Sequence, residues 1–186
     1  MAGKHCAGIW CKGCYVLPLI QPHYFALTEG GTLDYKRNGL IAEDGSINSW
    51  FGYAKQVNTQ IAAVDEVLMN ATNKGVIPVG TYAKNNITSS LNNLGDTNLV
   101  LSNYGKLSSV STTGTTYGVV VGCFDYNGKT ALYVVNYDVN SARDITLTFS
   151  ESVTADVTIN GSVAEKSGSS MTLSLGAGEG ALVVLK

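Results

Sequence analysis

The residues with the most reactive side chains crowd one end of the chain. Cys11-Lys12-Gly13-Cys14 is a Cys-x-x-Cys pair, and Cys6, His5 and His23 lie close to it in sequence. Thiolate and imidazole are ligands that Zn2+ prefers, and two cysteines separated by two residues have the knuckle spacing of structural zinc sites. Three cysteines and one histidine could close a Cys3His tetrahedron. Only one Cys-x-x-Cys is present where zinc frameworks commonly use two, so the other reading is a leader carrying free thiols. A thioredoxin-like role needs a βαβ pattern around the pair, and none surrounds it. Apart from Zn2+ at this cluster, the sequence implies no cofactor.

A second chemistry would come from carboxylates. The 14 Asp and Glu residues include Glu29, Asp34, Glu43, Asp44, Asp125, Asp138, Asp144 and Glu179. Glycoside hydrolysis needs two of them about 5–10 Å apart with their pKa values split, one protonated and one ionised. Spacing along the chain does not supply that distance, and a solvated surface carboxylate is the alternative for each. With two histidines and no Gly-x-Ser-x-Gly turn, a serine triad has no support.

A third chemistry is stacking. Ten tyrosines and two tryptophans offer flat apolar faces for pyranose rings, beside amides and carboxylates for the hydroxyls. The candidates are Tyr104, Tyr117, Tyr126 and Tyr137, with Asp125, Asn127 and Asp138. Core or cross-strand packing is the competing role for each ring. Asn70-Ala71-Thr72, Asn86-Ile87-Thr88 and Asn160-Gly161-Ser162 match the N-glycosylation triplet, which has meaning only in a secretory compartment.

The totals narrow the partners. A net charge of −2 gives no basic footprint for nucleic acid or for an anionic membrane surface. No apolar run approaches the roughly 20 residues of a membrane span. Cys14–Ile20 is short for a signal-peptide core and contains Pro18, so no signal peptide is assigned. Cytoplasmic and secreted settings both stay open, because the four cysteines do not form an evenly spread disulfide framework.

The elements that must position these side chains are organised around Tyr117–Tyr137, YGVVVGCFDYNGKTALYVVNY. Asn127-Gly128 between two β-branched runs predicts a type I′ hairpin, which requires positive φ at both turn residues. The register follows: Tyr126 opposite Lys129, Phe124 opposite Ala131, Gly122 opposite Tyr133, Val120 opposite Val135. Both faces are apolar, so the hairpin is expected at the centre of a covered sheet. Gly122 leaves room for an aromatic ring over the backbone.

Upstream, Phe51, Ala54, Val57, Ile61, Val64 and Leu68 recur every three or four residues. That spacing predicts one core-packed amphipathic helix starting at Asn48 or Ser49, stopped by Gly75 and Pro78. From Val76 onward no long helical pattern is expected. Short strands are predicted at Val76–Val79, Leu99–Ser102 and Leu107–Ser111. Others follow from the alternating apolar sets 145/147/149, 153/155/157/159 and 171/173/175, and from Ala181–Leu185. Asn160-Gly161 makes a second tight turn. About eight short strands indicate an antiparallel β-sandwich preceded by one helix and an irregular N-terminal segment.

Several phrases resemble the C-terminal region of TIM-barrel glycoside hydrolases of the β-galactosidase-like kind. Trp50–Gly75, WFGYAKQVNTQIAAVDEVLMNATNKG, is similar to their last barrel helix. The preceding NGLIAEDGSINSW resembles the last strand-to-helix loop, with Leu40-Ile41 and Gly45 in the places of a Leu-Ile-x-x-x-Gly phrase. GCFDYNGKTALYVVNYDVNSARDITLTF resembles their β-sandwich hairpin, Asn-Gly-x-x-x-Leu-x-Val-Val-Asn. LGAGEGALVVLK resembles the closing loop and strand, with Ala177 where proline is usual. The likeness covers roughly residues 31–186 and includes no catalytic signature. In such enzymes the acid and nucleophile are glutamates on earlier barrel strands, so no catalytic glutamate carries over.

Residues 1–30 match nothing in this pattern and are read as an irregular leader of uncertain origin. The resemblance implies 31–75 as a strand, loop and helix at the end of a barrel and 76–186 as a β-sandwich. It implies a non-catalytic accessory domain of a glycoside hydrolase, packed on a catalytic barrel and able to bind carbohydrate. Two alternatives remain: a small independent glycoside hydrolase using the chain's own carboxylates, and a metal-binding protein built on the Cys/His leader. The helix stripe, without barrel partners, is expected to drive association into a homo-oligomer.

Overall fold

The computed structural model describes Leu40, Ile41, residues 45–47 and residues 49–186. The Cys/His cluster lies outside the described residues. Two compact units meet between Thr59 and Gln60. In the first, Ile41 and Ile47 form an isolated antiparallel bridge, and helix α1 (Ser49–Ala62) begins. The rest of the fold belongs to the second unit.

The predicted single helix is two. After α1, the chain turns at Ala63-Val64 and resumes as α2 (Asp65–Asn70). The stripe is unevenly covered: Val64 is buried, while Val57 is 51% exposed. Strand β1 (Thr72–Val79) starts earlier than expected and passes through a bulge at Gly75. The Asn73 side-chain oxygen accepts the Gly75 N–H at 2.9 Å, which fixes the bulge. Leu99–Ser102 is not a strand. Thr97–Leu99 forms a 3-10 turn, and Val100 makes a lone parallel bridge to Val76. Leu101 N–H bonds the Val76 carbonyl at 2.8 Å, so this segment covers part of the open edge of β1.

Helix α3 (Thr81–Leu94) is the element sequence reasoning missed. More than half of it is Asn, Ser or Thr, which favour caps and turns over helix interiors. Its signal was nevertheless present: Ala83, Ile87, Leu91 and Leu94 fall on one helical face, and Gly80 and Gly95 bracket it. Gly95 takes φ 74° and ends the helix with two backbone bonds, Gly95 N–H to Asn92 O and Asp96 N–H to Leu91 O. That pair is a Schellman stop, which needs a left-handed residue.

The remaining strands are β2 (Leu107–Thr112), β3 (Val119–Tyr126), β4 (Lys129–Asn136), β5 (Arg143–Ile159), β6 (Ser162–Leu175) and β7 (Gly180–Leu185). All pairings among them are antiparallel, in the order β1-β3-β4-β7-β5-β2, with β6 on the other edge of β5. The fold is mainly β and sandwich-like, built from one continuous seven-stranded sheet. Seven strands form where about eight were expected: Leu99–Ser102 drops out, and 145–149 and 153–159 belong to one strand of 17 residues. Its first half pairs with β2 and its second half with β7, and a register irregularity between Thr148 and Val153 separates them.

The β3–β4 hairpin has the register read from the sequence, including Tyr126 with Lys129 and Gly122 with Tyr133. Asn127 and Gly128 take φ 54° and 78°, and Asn160 and Gly161 repeat the pattern at 50° and 78°. The Asp125 carboxylate accepts the Gly128 N–H at 2.9 Å and pins the first turn. An aromatic ring does lie over Gly122, supplied by Phe124 of the same strand. A Cβ on Gly122 would meet the Phe124 ring at 2.8 Å, and one on Gly180 would meet the Tyr133 hydroxyl oxygen at 2.6 Å.

The alternation of β-branched and aliphatic residues turns one face of each strand into a single core. Val119, Val121 and Cys123 of β3, Leu132 and Val134 of β4, and Val183 of β7 pack in one cluster with Leu107 of β2, Leu147 of β5 and Leu173 of β6. Burial of each such side chain stabilises by about 1.5–3 kcal/mol relative to exposure, which is why the hairpin anchors the rest. Cys123, fully buried, has its thiol pushed up to about 12 by that burial.

Candidate functional site

The candidate site is built where α3 meets the start of β3 and the end of β4. Gly80 and Gly118 cross there with φ 94° and 82°. A Cβ on Gly80 would fall 2.6 Å from the Gly118 Cα, so the crossing admits no side chain on either residue. The close approach lets the loop before β3 cap α3. The carbonyls of Thr115, Thr116 and Tyr117 accept the N–H groups of Thr81, Tyr82 and Ala83 at 3.0, 2.9 and 3.2 Å. A helix normally leaves its first donors unpaired; here the protein itself uses them, so this terminus is not a seat for an anion.

That capping sets Tyr82 beside Tyr117. Their ring centroids lie 5.3 Å apart with planes inclined by 33°. Both are partly open to solvent, at 48% and 39%. One helical turn beyond Tyr82, Asn86 donates from Nδ2 to the Tyr137 hydroxyl oxygen at 3.2 Å. Tyr137 is tied to the same crossing by its N–H, which bonds the Gly118 carbonyl at 3.1 Å. Three tyrosines and one amide thus converge: two partly exposed rings packed against each other, with a phenol–amide pair from the neighbouring turn. A tyrosine offers a large apolar body and a polar tip, and an amide both donates and accepts.

The structure divides six of the seven residues nominated for carbohydrate into two groups at opposite ends of β3. Tyr117 and Tyr137 join the site just described. Tyr104, Asp125, Tyr126 and Asn127 lie at the turn end. There the Tyr104 phenol is raised above its usual pKa by burial, then by the Asp125 charge and by Cys123. Tyr126 is half-buried opposite Lys129, and Asn127 is exposed in the turn. Asp138 has a different role, because it is 1% exposed. Its Oδ1 accepts the Asn140 N–H at 2.9 Å and its Oδ2 takes Arg143 Nη2 at 2.6 Å. The Asn140 bond first, and the Arg143 guanidinium second, hold the carboxyl below its ordinary pKa.

Asn136 organises the same loops. It is fully buried, donates from Nδ2 to the carbonyls of Ser141 and Gly176 at 2.8 Å each, and accepts the Asp138 N–H at 3.0 Å. Glu179 closes the loop by accepting the Gly176 N–H at 2.6 Å. Sequence reasoning missed Tyr82 and Asn86 because it missed α3. Their spacing of four on that helical face was the available signal.

Carboxylates in the described residues serve mainly as partners of cations and backbone. Asp144 accepts from Ser174 Oγ at 2.6 Å, and Lys106 pairs with Glu151 at 2.6 Å. Asp156 and Glu165 face each other across β5 and β6, but Lys186 Nζ lies 2.9 and 2.5 Å from them. These bonds, first that to Glu165, raise the Lys186 pKa and keep an ammonium between the two acids. Among the described residues no group of three or more His, Cys, Asp or Glu is placed to hold a metal ion. No helix there is long and apolar enough to cross a membrane.

Comparisons with protein-family models, with curated proteins and with solved structures each returned no match.

Proposed function

We propose that this chain is an accessory, non-catalytic β-sandwich domain of a glycoside hydrolase that binds carbohydrate at the Tyr82–Tyr117 site. The observation that carries the reading is the pair of exposed tyrosine rings at 5.3 Å, adjoined by the Asn86–Tyr137 pair. A tyrosine presents an apolar body and a polar tip, which suits a ligand that has both apolar faces and hydroxyls. The hairpin phrase ending in Asn136 is the sequence feature behind the accessory-domain part of the reading.

In that role the chain packs on a catalytic barrel or on a second copy. The experiment is calorimetric titration with dissolved and suspended polysaccharides, run beside an assay of nitrophenyl glycosides. Heat of binding that disappears in the Tyr82→Ala/Tyr117→Ala double variant, with no release of nitrophenol, is the expected result. Turnover lost on Asp156→Asn or Glu165→Gln would replace the reading with a hydrolase.

A further inference from the structure

Two hairpin turns of the molecule share one dipeptide and one shape. Asn127-Gly128 joins β3 to β4, and Asn160-Gly161 joins β5 to β6. Their φ values are 54° and 78° in the first and 50° and 78° in the second, and all four residues are exposed. What differs is the surroundings of the atoms that can react. From that difference we propose that Asn160 is a site of spontaneous succinimide formation and deamidation in the folded protein, while Asn127 is protected.

The reaction needs no partner but water. Hydroxide takes the proton of the glycine N–H, and the nitrogen anion so formed attacks the asparagine Cγ. The amide oxygen carries the negative charge of the tetrahedral intermediate. Its collapse breaks the Cγ–Nδ2 bond, and ammonia leaves with a proton from water, which restores the hydroxide. Water then opens the ring at either carbonyl and leaves aspartate or isoaspartate. A glycine in the second position presents a nitrogen with no side chain beside it.

At the first turn the nucleophile is held. The Asp125 carboxylate accepts the Gly128 N–H at 2.9 Å. A negative charge there opposes loss of the proton that must leave before attack. At the second turn the equivalent position, three residues before the glycine, is Thr158, which carries no charge. Among the described residues no hydrogen-bond acceptor takes the Gly161 N–H.

The electrophile is also activated at the second turn. Gln60 Nε2 donates to Asn160 Oδ1 at 2.6 Å. A donor on that oxygen stabilises the charge that the intermediate places on it. The product matters to the sheet. Isoaspartate adds a methylene to the main chain between Ile159 and Ser162, which pair directly across the turn. Loop length sets hairpin register, so the lengthened loop loosens this end of β6 from β5.

The test incubates the folded full chain at neutral pH for weeks and maps it with trypsin. Cleavage after lysine and arginine releases residues 107–129 and 144–166, whose only asparagines are Asn127 and Asn160. Asn38-Gly39 lies outside the described residues and is followed on its own peptide. Aspartate and isoaspartate should accumulate at Asn160 at least tenfold faster than at Asn127. In urea that ratio should fall to threefold or less, because the surroundings are gone. Asp125→Thr, which gives the first turn the neighbour of the second, should speed Asn127 several-fold. Gln60→Leu should slow Asn160 several-fold in the folded chain and leave its rate in urea unchanged. Equal rates at the two sites in the folded chain, or faster conversion at Asn127, overturn the proposal. Conversion of Asn160 confined to urea also overturns it, since the turn itself would then be the shield. Faster conversion in Gln60→Leu overturns the activating role of Gln60 and makes its bond a restraint.

Discussion

A side chain on Gly118 would begin 1.8 Å from the carbonyl oxygen of Val79. That contact is impossible, so the crossing of β1 and β3 depends on a bare backbone as well as on the φ of 82°. Gly128 isolates the second of these effects. Its φ is 78°, and a Cβ there meets nothing within 4 Å. Gly128→Ala should therefore cost only the left-handed conformation, about 1–2 kcal/mol. Gly118→Ala should cost about 3–5 kcal/mol, since backbone must move as well. Urea unfolding of the two variants gives the comparison, and equal losses would mean the crossing relaxes without effort.

Asn136 should be as sensitive as any apolar core residue. Its side chain serves two carbonyls and one N–H with no access to water. Asn136→Leu leaves those groups unpaired and should cost roughly 2–4 kcal/mol. Asn136→Asp has nearly the same shape but turns a donor into an acceptor facing two carbonyls. It should be the worse variant at neutral pH and recover part of its loss in acid, where the new carboxyl regains a proton. A smaller loss for Asp than for Leu at pH 7 would show that the amide donors matter little.

What could be read from the sequence was what is decided locally. Asn127-Gly128 and Asn160-Gly161 specify their turns through their own φ preferences, and the alternating strands specify which side faces in. Helix α3 was not legible from composition because its stability comes from tertiary capping. The Thr115, Thr116 and Tyr117 carbonyls that satisfy its first turn lie a full strand away in the chain. Asp138 has the residue type of a sugar ligand, yet its carboxylate is committed to Arg143 and Asn140. Burial of a polar group is a property of the assembled loops. Leu99–Ser102 has the pattern of a strand, but it follows a 3-10 turn and makes a single bridge to the edge of β1.

Asp138 should govern part of the acid limb of stability. Its native pKa is lowered from the ordinary 3.8, so its contribution is full above 3.8 and is lost as pH falls through the lower native value. Wild type should exceed Asp138→Asn in melting temperature at neutral pH, and the gap should close on acidification below that point. A gap that stays constant down to pH 2 would assign the difference to shape and not to charge.

Cys123 should govern part of the alkaline limb. Its thiol is raised from 9.0 to about 12 by burial. A raised native value means the stabilisation is present below 9.0 and disappears as pH climbs towards 12, because the unfolded chain gives up its proton first. Cys123→Val, which keeps the volume and removes the thiol, should flatten that decline. Iodoacetamide at pH 8.5 should leave Cys123 unmodified in the native protein and modify it in urea, as peptide mass mapping would reveal.

Association should depend on the exposed part of the α1 stripe. Val57 is 51% exposed on a helix otherwise spaced for burial. Light scattering at micromolar concentration should give about twice the single-chain mass of 19.6 kDa. Val57→Asp should return it towards one chain. A mass of one chain for wild type would remove the second copy from the proposal and leave the barrel as the partner.

β5 carries a consequence for how the molecule comes apart. Leu147 pairs with Val110 and Met171, and ten residues later Val157 pairs with Ala164 and Val183. One covalent strand therefore serves both halves of the sheet and runs on through the irregularity between Thr148 and Val153. The second unit can fray at Thr72 or peel β2 from its edge, but its two halves stay joined through this strand. Amide hydrogen exchange at Leu147 and Val157 should accordingly report a common opening free energy, that of the whole unit.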